Sequence, residues 1–138
     1  MGMVTASPAV AAKVAPPGAK LVISPQSLIF QVGTPPAVAV AEVTVQVISP
    51  GQQPWRLTVM ALGDLQSEEG TRIPVNQVTW RGRPGAVFVD GALSANHPQL
   101  LARGQSSKAG VVRFFLKNRW EHAEGRYSQR LIFNLSSP

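Results

Sequence analysis

The chain has 138 residues, enough for one domain with a packed core. Only 14% are charged, well under the usual quarter, and 13 Lys and Arg against 7 acids leave a net charge of +6. The absence of cysteine excludes disulfides, thiolate metal sites and cysteine nucleophiles. The basic residues stand in ones and twos, which disfavours nucleic acid, and no apolar run approaches the roughly eighteen residues of a membrane-spanning helix.

Residues 1–20 read MGMVTASPAVAAKVAPPGAK, with prolines at 8, 16 and 17 and too few large apolar side chains to build a core. Fixing such an arm costs roughly 1–2 kcal/mol of backbone entropy per residue, so its ordering needs extensive contacts. A neighbouring copy of the chain is the simplest source. The expected subunit-contact residues are Val4, Ala6, Pro8, Val10, Ala12 and Val14, with Pro16-Pro17-Gly18 as the hinge to the body. The 9–15 stretch is short, weakly hydrophobic and interrupted by Lys13, so no signal peptide is visible. The expectation is a leader removed from this numbering, another export route, or a protein that does not leave the cell.

From Leu21 onward the pattern is that of β-strands. The first runs are 21–24 and 27–32, with Pro25 marking an edge or break. Residues 37–49 follow the Gly33-Thr34-Pro35-Pro36 turn, and Val43, Val45 and Val47 share one face. After Pro50-Gly51, Trp55, Leu57, Val59 and Ala61 point inward, with Arg56, Thr58 and Met60 outward. Residues 63–71 are a polar loop, 73–81 a strand bearing Val78 and Trp80, and 81–85 a turn. The 86–89 segment is short and apolar. Residues 90–110 are rich in loop, with 98–103 a strand or a single helical turn.

The strongest alternation comes last. Val112, Phe114, Leu116 and Trp120 share a parity, as do Tyr127, Leu131, Phe133 and Leu135. The polar Glu121-His122-Ala123-Glu124-Gly125 connection predicts a hairpin that sets Trp120 opposite Tyr127, Leu116 opposite Leu131, Phe114 opposite Phe133 and Asn118 opposite Gln129. That register turns Arg113, Phe115, Lys117 and Arg119 outward beside Arg130 and Ile132. Phe115 then meets Ile132, and Lys117 faces Arg130, an unfavourable pair that asks for an acidic partner. These six residues form a candidate contact patch, for which Asp64, Glu68 and Glu69 of another subunit would be complementary. Almost nothing reads as an amphipathic helix. The expected fold is therefore all-β: an antiparallel β-sandwich of seven to nine strands over residues 21–138, jelly-roll or immunoglobulin-like, with an extended N-terminal arm over residues 1–20.

The string Gly125-Arg126-Tyr127-Ser128-Gln129-Arg130-Leu131-Ile132-Phe133-Asn134-Leu135 resembles the closing strand of bacterial surface and fimbrial β-sandwich domains. The Ile23-Ser24-Pro25, Leu28, Phe30 and Pro54-Trp55-Arg56-Leu57 segments resemble them too. This resemblance implies a non-enzymatic domain of a pilus, fibre or cell-surface layer, located outside the cell or on its surface.

Other groupings carry less chemistry. Asp90, Ser94 and His97 lie within eight residues of one another, but no nucleophile-elbow motif surrounds Ser94. Glu121, His122 and Glu124 in a turn do not hold three metal ligands on one side. Trp55, Trp80, Trp120 and Tyr127 read as core rather than as a sugar platform. The Asn134-Leu135-Ser136 sequon lies within a strand. No catalytic residue, metal site or cofactor is expected. The function expected is a structural subunit that self-assembles into an extracellular filament or surface layer through its arm. The alternatives are a non-catalytic binding module for polysaccharide or an anionic polymer or surface, and a viral or phage structural protein.

Overall fold

The computed structural model describes residues 15–33, 38–117 and 123–138. Among them are eleven strands: β1 (Lys20–Ser24), β2 (Ser27–Val32), β3 (Val38–Ile48), β4 (Trp55–Ala61), β5 (Leu65–Ser67), β6 (Arg72–Ile73), β7 (Val78–Arg83), β8 (Gly91–Ala92), β9 (Gln99–Gly104), β10 (Lys108–Lys117) and β11 (Gly125–Ser136). The count exceeds the expected seven to nine because β5 and β8 are short pairings inside segments that read as loop, and the expected 73–81 strand is split into β6 and β7. The 3₁₀ turn Val75–Gln77 delays the start of β7, and in the apolar 86–89 segment a turn at 86–87 leads into a single antiparallel bridge from Phe88 to Ala102.

Two antiparallel sheets face each other. The first runs in the order β1-β3-β10-β7-β8, and the second β6-β5-β11-β4-β9, with β2 also on β11. Strict alternation puts the apolar rows between them: Val43, Val45 and Val47 from β3, Trp55, Leu57, Val59 and Ala61 from β4, and Val112, Phe114 and Leu116 from β10. Each buried side chain of this size contributes about 1.5–3 kcal/mol relative to exposure. The Trp80 and Phe114 rings meet tilted at 53°, with centroids 6.1 Å apart, within the favoured aromatic range. Trp55 Nε1 donates to the Ser106 carbonyl at 2.9 Å and Trp80 Nε1 to the Val89 carbonyl at 2.7 Å, so both indoles are buried with their donors satisfied.

Gly110 on β10 is dictated by a close approach. A Cβ there would collide with the Arg83 carbonyl and the Phe88 ring.

The expected hairpin between the last two strands does not form. β10 lies in the first sheet between β3 and β7, and β11 lies in the second beside β4, β5 and β2. Phe114 is opposite Ala41 and Trp80, while Phe133 is opposite Val59. Both apolar rows do point inward, and they face one another across the core instead of along a shared ladder. Alternation reports which face is buried, and it is the same for a strand in either sheet. Gln129 takes a different partner as well: its Nε2 donates to the Asp64 carbonyl at 2.8 Å. Asn118 and Trp120 lie outside the described residues.

Candidate functional site

β1 and β2 are successive parts of one edge strand. β1 pairs with β3 in the first sheet from Lys20 opposite Ile48 to Ser24 opposite Thr44. The chain then crosses over Pro25 and Gln26, the Ser24–Pro25 peptide being cis, and β2 pairs with β11 in the second sheet from Ser27 opposite Arg130 to Val32 opposite Gly125. Pro25 therefore marks a break between strands, consistent with its lack of an N–H for a ladder.

That crossing leaves β11 unevenly flanked. On one side it meets β5 at Tyr127 and Ser128 and β4 from Leu131 to Ser136. On the other side β2 reaches only to Arg130, and a last bond runs from the Leu131 N–H to the Gln26 carbonyl at 3.0 Å. The Leu62 N–H donates to the Arg130 carbonyl from the opposite side, also at 3.0 Å. Because backbone groups alternate sides along an antiparallel strand, Phe133 and Leu135 turn their N–H and C=O groups to the flank where no described strand pairs.

Side chains tell the same story. Phe133 and Leu135 face the core but are only half-buried, and so are Leu21 and Ile23 of β1 on the edge of the other sheet. The open site is a seam between two sheet edges, with a backbone flank unpaired among the described residues and half-covered apolar side chains.

The chain enters β1 through a tight turn. The Ala19 N–H donates to the Pro16 carbonyl at 3.0 Å, and Gly18 has φ +76°. Pro17 cannot adopt positive φ, so this is a type II turn with Gly at the position that requires it. Such a turn splays its flanking segments instead of closing a hairpin.

At the far end of β11, Tyr127 is buried and its hydroxyl donates to the Ala123 carbonyl at 2.8 Å, four residues upstream. Burial pushes its phenol above the usual 10.0; a hydrogen bond with Thr71 works against this, and Glu69 adds to it.

The expected contact patch is divided between the two outer faces. Arg113, Phe115 and Lys117 lie on the outside of the first sheet, where Arg113 Nε bonds Glu42 Oε2 at 2.9 Å, Phe115 sits between Val40 and Thr79, and Lys117 is opposite Val38. Arg130 and Ile132 lie on the outside of the second sheet, opposite Ser27 and Met60. Thus Lys117 does not face Arg130, nor does Phe115 meet Ile132. Arg119 and the arm residues Val4, Ala6, Pro8, Val10, Ala12 and Val14 lie outside the described residues, as do Glu121 and His122.

The remaining groups are structural in their geometry. Asp90 Oδ1 accepts from the Gly82 N–H and lies 3.7 Å from Arg83, and Ser94 Oγ accepts from the N–H groups of Asn96 and His97, both at 3.1 Å. Trp55, Trp80 and Tyr127 are buried and offer no face to a sugar.

Sequence reasoning missed the seam. Its one sequence signal was Pro25, whose break displaces β2 from β1. No family model matches the chain, and no curated protein matches it in sequence.

Proposed function

We propose that this chain is a structural subunit that self-assembles into an extracellular filament or surface layer, with residues 4–14 of one copy adding a strand along the open flank of β11 in the next. The observation that carries this reading is the flank of Phe133 and Leu135, unpaired among the described residues, beside half-covered Leu21 and Ile23. An exposed edge of this kind is a template for another chain, and strand addition is a recurrent mode of recognition.

The occupant follows from the chain itself. Val10, Ala12 and Val14 share one parity, and small apolar side chains suit a seam whose floor is already partly filled. A five-residue flank extends about 17 Å, and fourteen extended residues reach more than twice that far. A head-to-tail contact repeated without closure gives a filament. The sheet-switching edge strand and the tyrosine hydroxyl bonded upstream favour immunoglobulin-like connectivity, in keeping with the resemblance to fimbrial and surface domains. The same arm exchange serves a viral or phage structural protein.

Negative-stain electron microscopy of the full chain and of a chain beginning at Ala15 tests the reading. The shorter form keeps every described residue. Fibres or sheets from the first and single particles from the second are expected. Fibres from both forms, or single particles from both, overturn it.

A further inference from the structure

The outer face of the first sheet carries a second, separate feature. Phe115 lies at its centre, half-buried, with Val38 and Val40 on one side at 52% and 53% exposure and Thr79 on the other. A groove of about 720 Å³ runs over this face, lined by Val38, Gln77, Thr79, Arg81, Phe115 and Lys117, together with Asn76.

Five described cations stand on the face: Lys20 at its β1 edge, Arg113 bonded to Glu42 at 2.9 Å, Arg83 lying 3.7 Å from Asp90, and Arg81 and Lys117. Arg81 and Lys117 have no carboxylate partner among the described residues, and both line the groove. Arg81 is level with Arg113 and Lys117 lies four residues further along β10, so about 13 Å of strand separates them with Phe115 between.

Gln77 lines the same groove, but its Oε1 atom is sealed from solvent and has no hydrogen-bond partner among the described residues, so a ligand lying on the surface does not reach it.

From the juxtaposition of Arg81, Phe115 and Lys117 along one groove we infer that the outer face of the first sheet binds an acidic oligosaccharide: carboxylate or sulfate groups on Arg81 and Lys117, and the C–H face of a sugar ring on Phe115. Each ligand group answers one protein group, and the spacing of the cations calls for an oligomer instead of a single sugar. Single-stranded nucleic acid fits less well, since it favours successive aromatic platforms and this face presents one among the described residues. The inference does not depend on the arm, because the seam and the groove use different residues.

The test is biolayer interferometry of the full chain over immobilised polygalacturonate, heparin, neutral dextran and poly(dT). Binding to at least one acidic polysaccharide, weakening as salt rises, is expected, with dextran unbound. R81Q with K117Q, and separately Phe115→Ala, are expected to weaken it at least tenfold, while R130Q with Ile132→Ala on the opposite face leaves it unchanged. Circular dichroism melts identify variants that have lost their fold, and T79R, at an exposed position over the same groove, then supplies the reading through altered affinity. No binding to either acidic polysaccharide, unchanged binding in the groove variants, or tighter binding to poly(dT) overturns the inference. So does loss of assembly in R81Q with K117Q, which makes this face a contact between copies.

Discussion

β10 and β11 are the two strands with the strongest alternation near the end of the chain, and they end in different surroundings. β10 is paired on both sides, with β3 from Lys108 to Lys117 and with β7 from Val111 to Leu116, and its inward Val112, Phe114 and Leu116 are completely buried. β11 meets β5 at Tyr127 and Ser128 and β4 from Leu131 to Ser136 on one side, but among the described residues pairs only to Arg130 on the other, and its inward Phe133 and Leu135 remain half-buried. The same inward parity thus produces a closed core in one place and an open seam in the other. What differs is the number of lateral neighbours, and that is a property of topology.

The comparison can be broken by truncating one inward ring in each strand. Phe114→Ala is expected to cost about 3–5 kcal/mol, as for other buried Phe truncations, and Phe133→Ala about 2 kcal/mol or less because water already reaches part of its ring. Urea denaturation of the chain beginning at Ala15 measures both without the arm. Equal losses would mean that the seam is as closed as the core.

Gly110→Ala sharpens the view of β10 as a strand closed on every side. Its Cβ would meet the Arg83 backbone and the Phe88 ring, and the expected cost is about 1–3 kcal/mol in the same assay. A neutral result would show that the first sheet yields there.

On β11, Tyr127→Phe removes one hydroxyl bond and is expected to cost about 1 kcal/mol at neutral pH. It also changes the pH dependence. Burial raises the folded phenol's pKa above 10.0, so the unfolded chain loses its proton first, and the stability that Tyr127 contributes is full below about pH 10 and falls as pH rises further. Denaturation midpoints from pH 9 to 11 are expected to fall more steeply for the parent than for the variant. Parallel profiles would remove Tyr127 as the cause.

Much of the layering was legible from residue parity. The inward rows of β3, β4 and β10 alternate without interruption, and Pro25 announced the break between β1 and β2. Strand partners were not legible. The polar 121–125 connection between two matching rows pointed to a hairpin, yet those rows belong to opposite sheets, because parity carries no information about lateral order. The predicted patch failed for the same reason: correct outward assignments for Phe115 and Ile132 were joined by a pairing that does not form, since the two residues lie on opposite sheets. Arg81 and Gln77 were reachable in principle from Trp80's inward parity, but their meeting with Phe115 follows only once β7 is beside β10.

Hydrogen exchange at individual β11 amides, compared between the assembled full chain and the chain beginning at Ala15, tests the central claim most directly. In the shorter chain Ile132 and Asn134, bonded toward β4, should exchange slowly while Phe133 and Leu135 exchange fast; in the assembled full chain all four should be slow. Fast exchange at Phe133 and Leu135 in both would contradict strand addition at the seam.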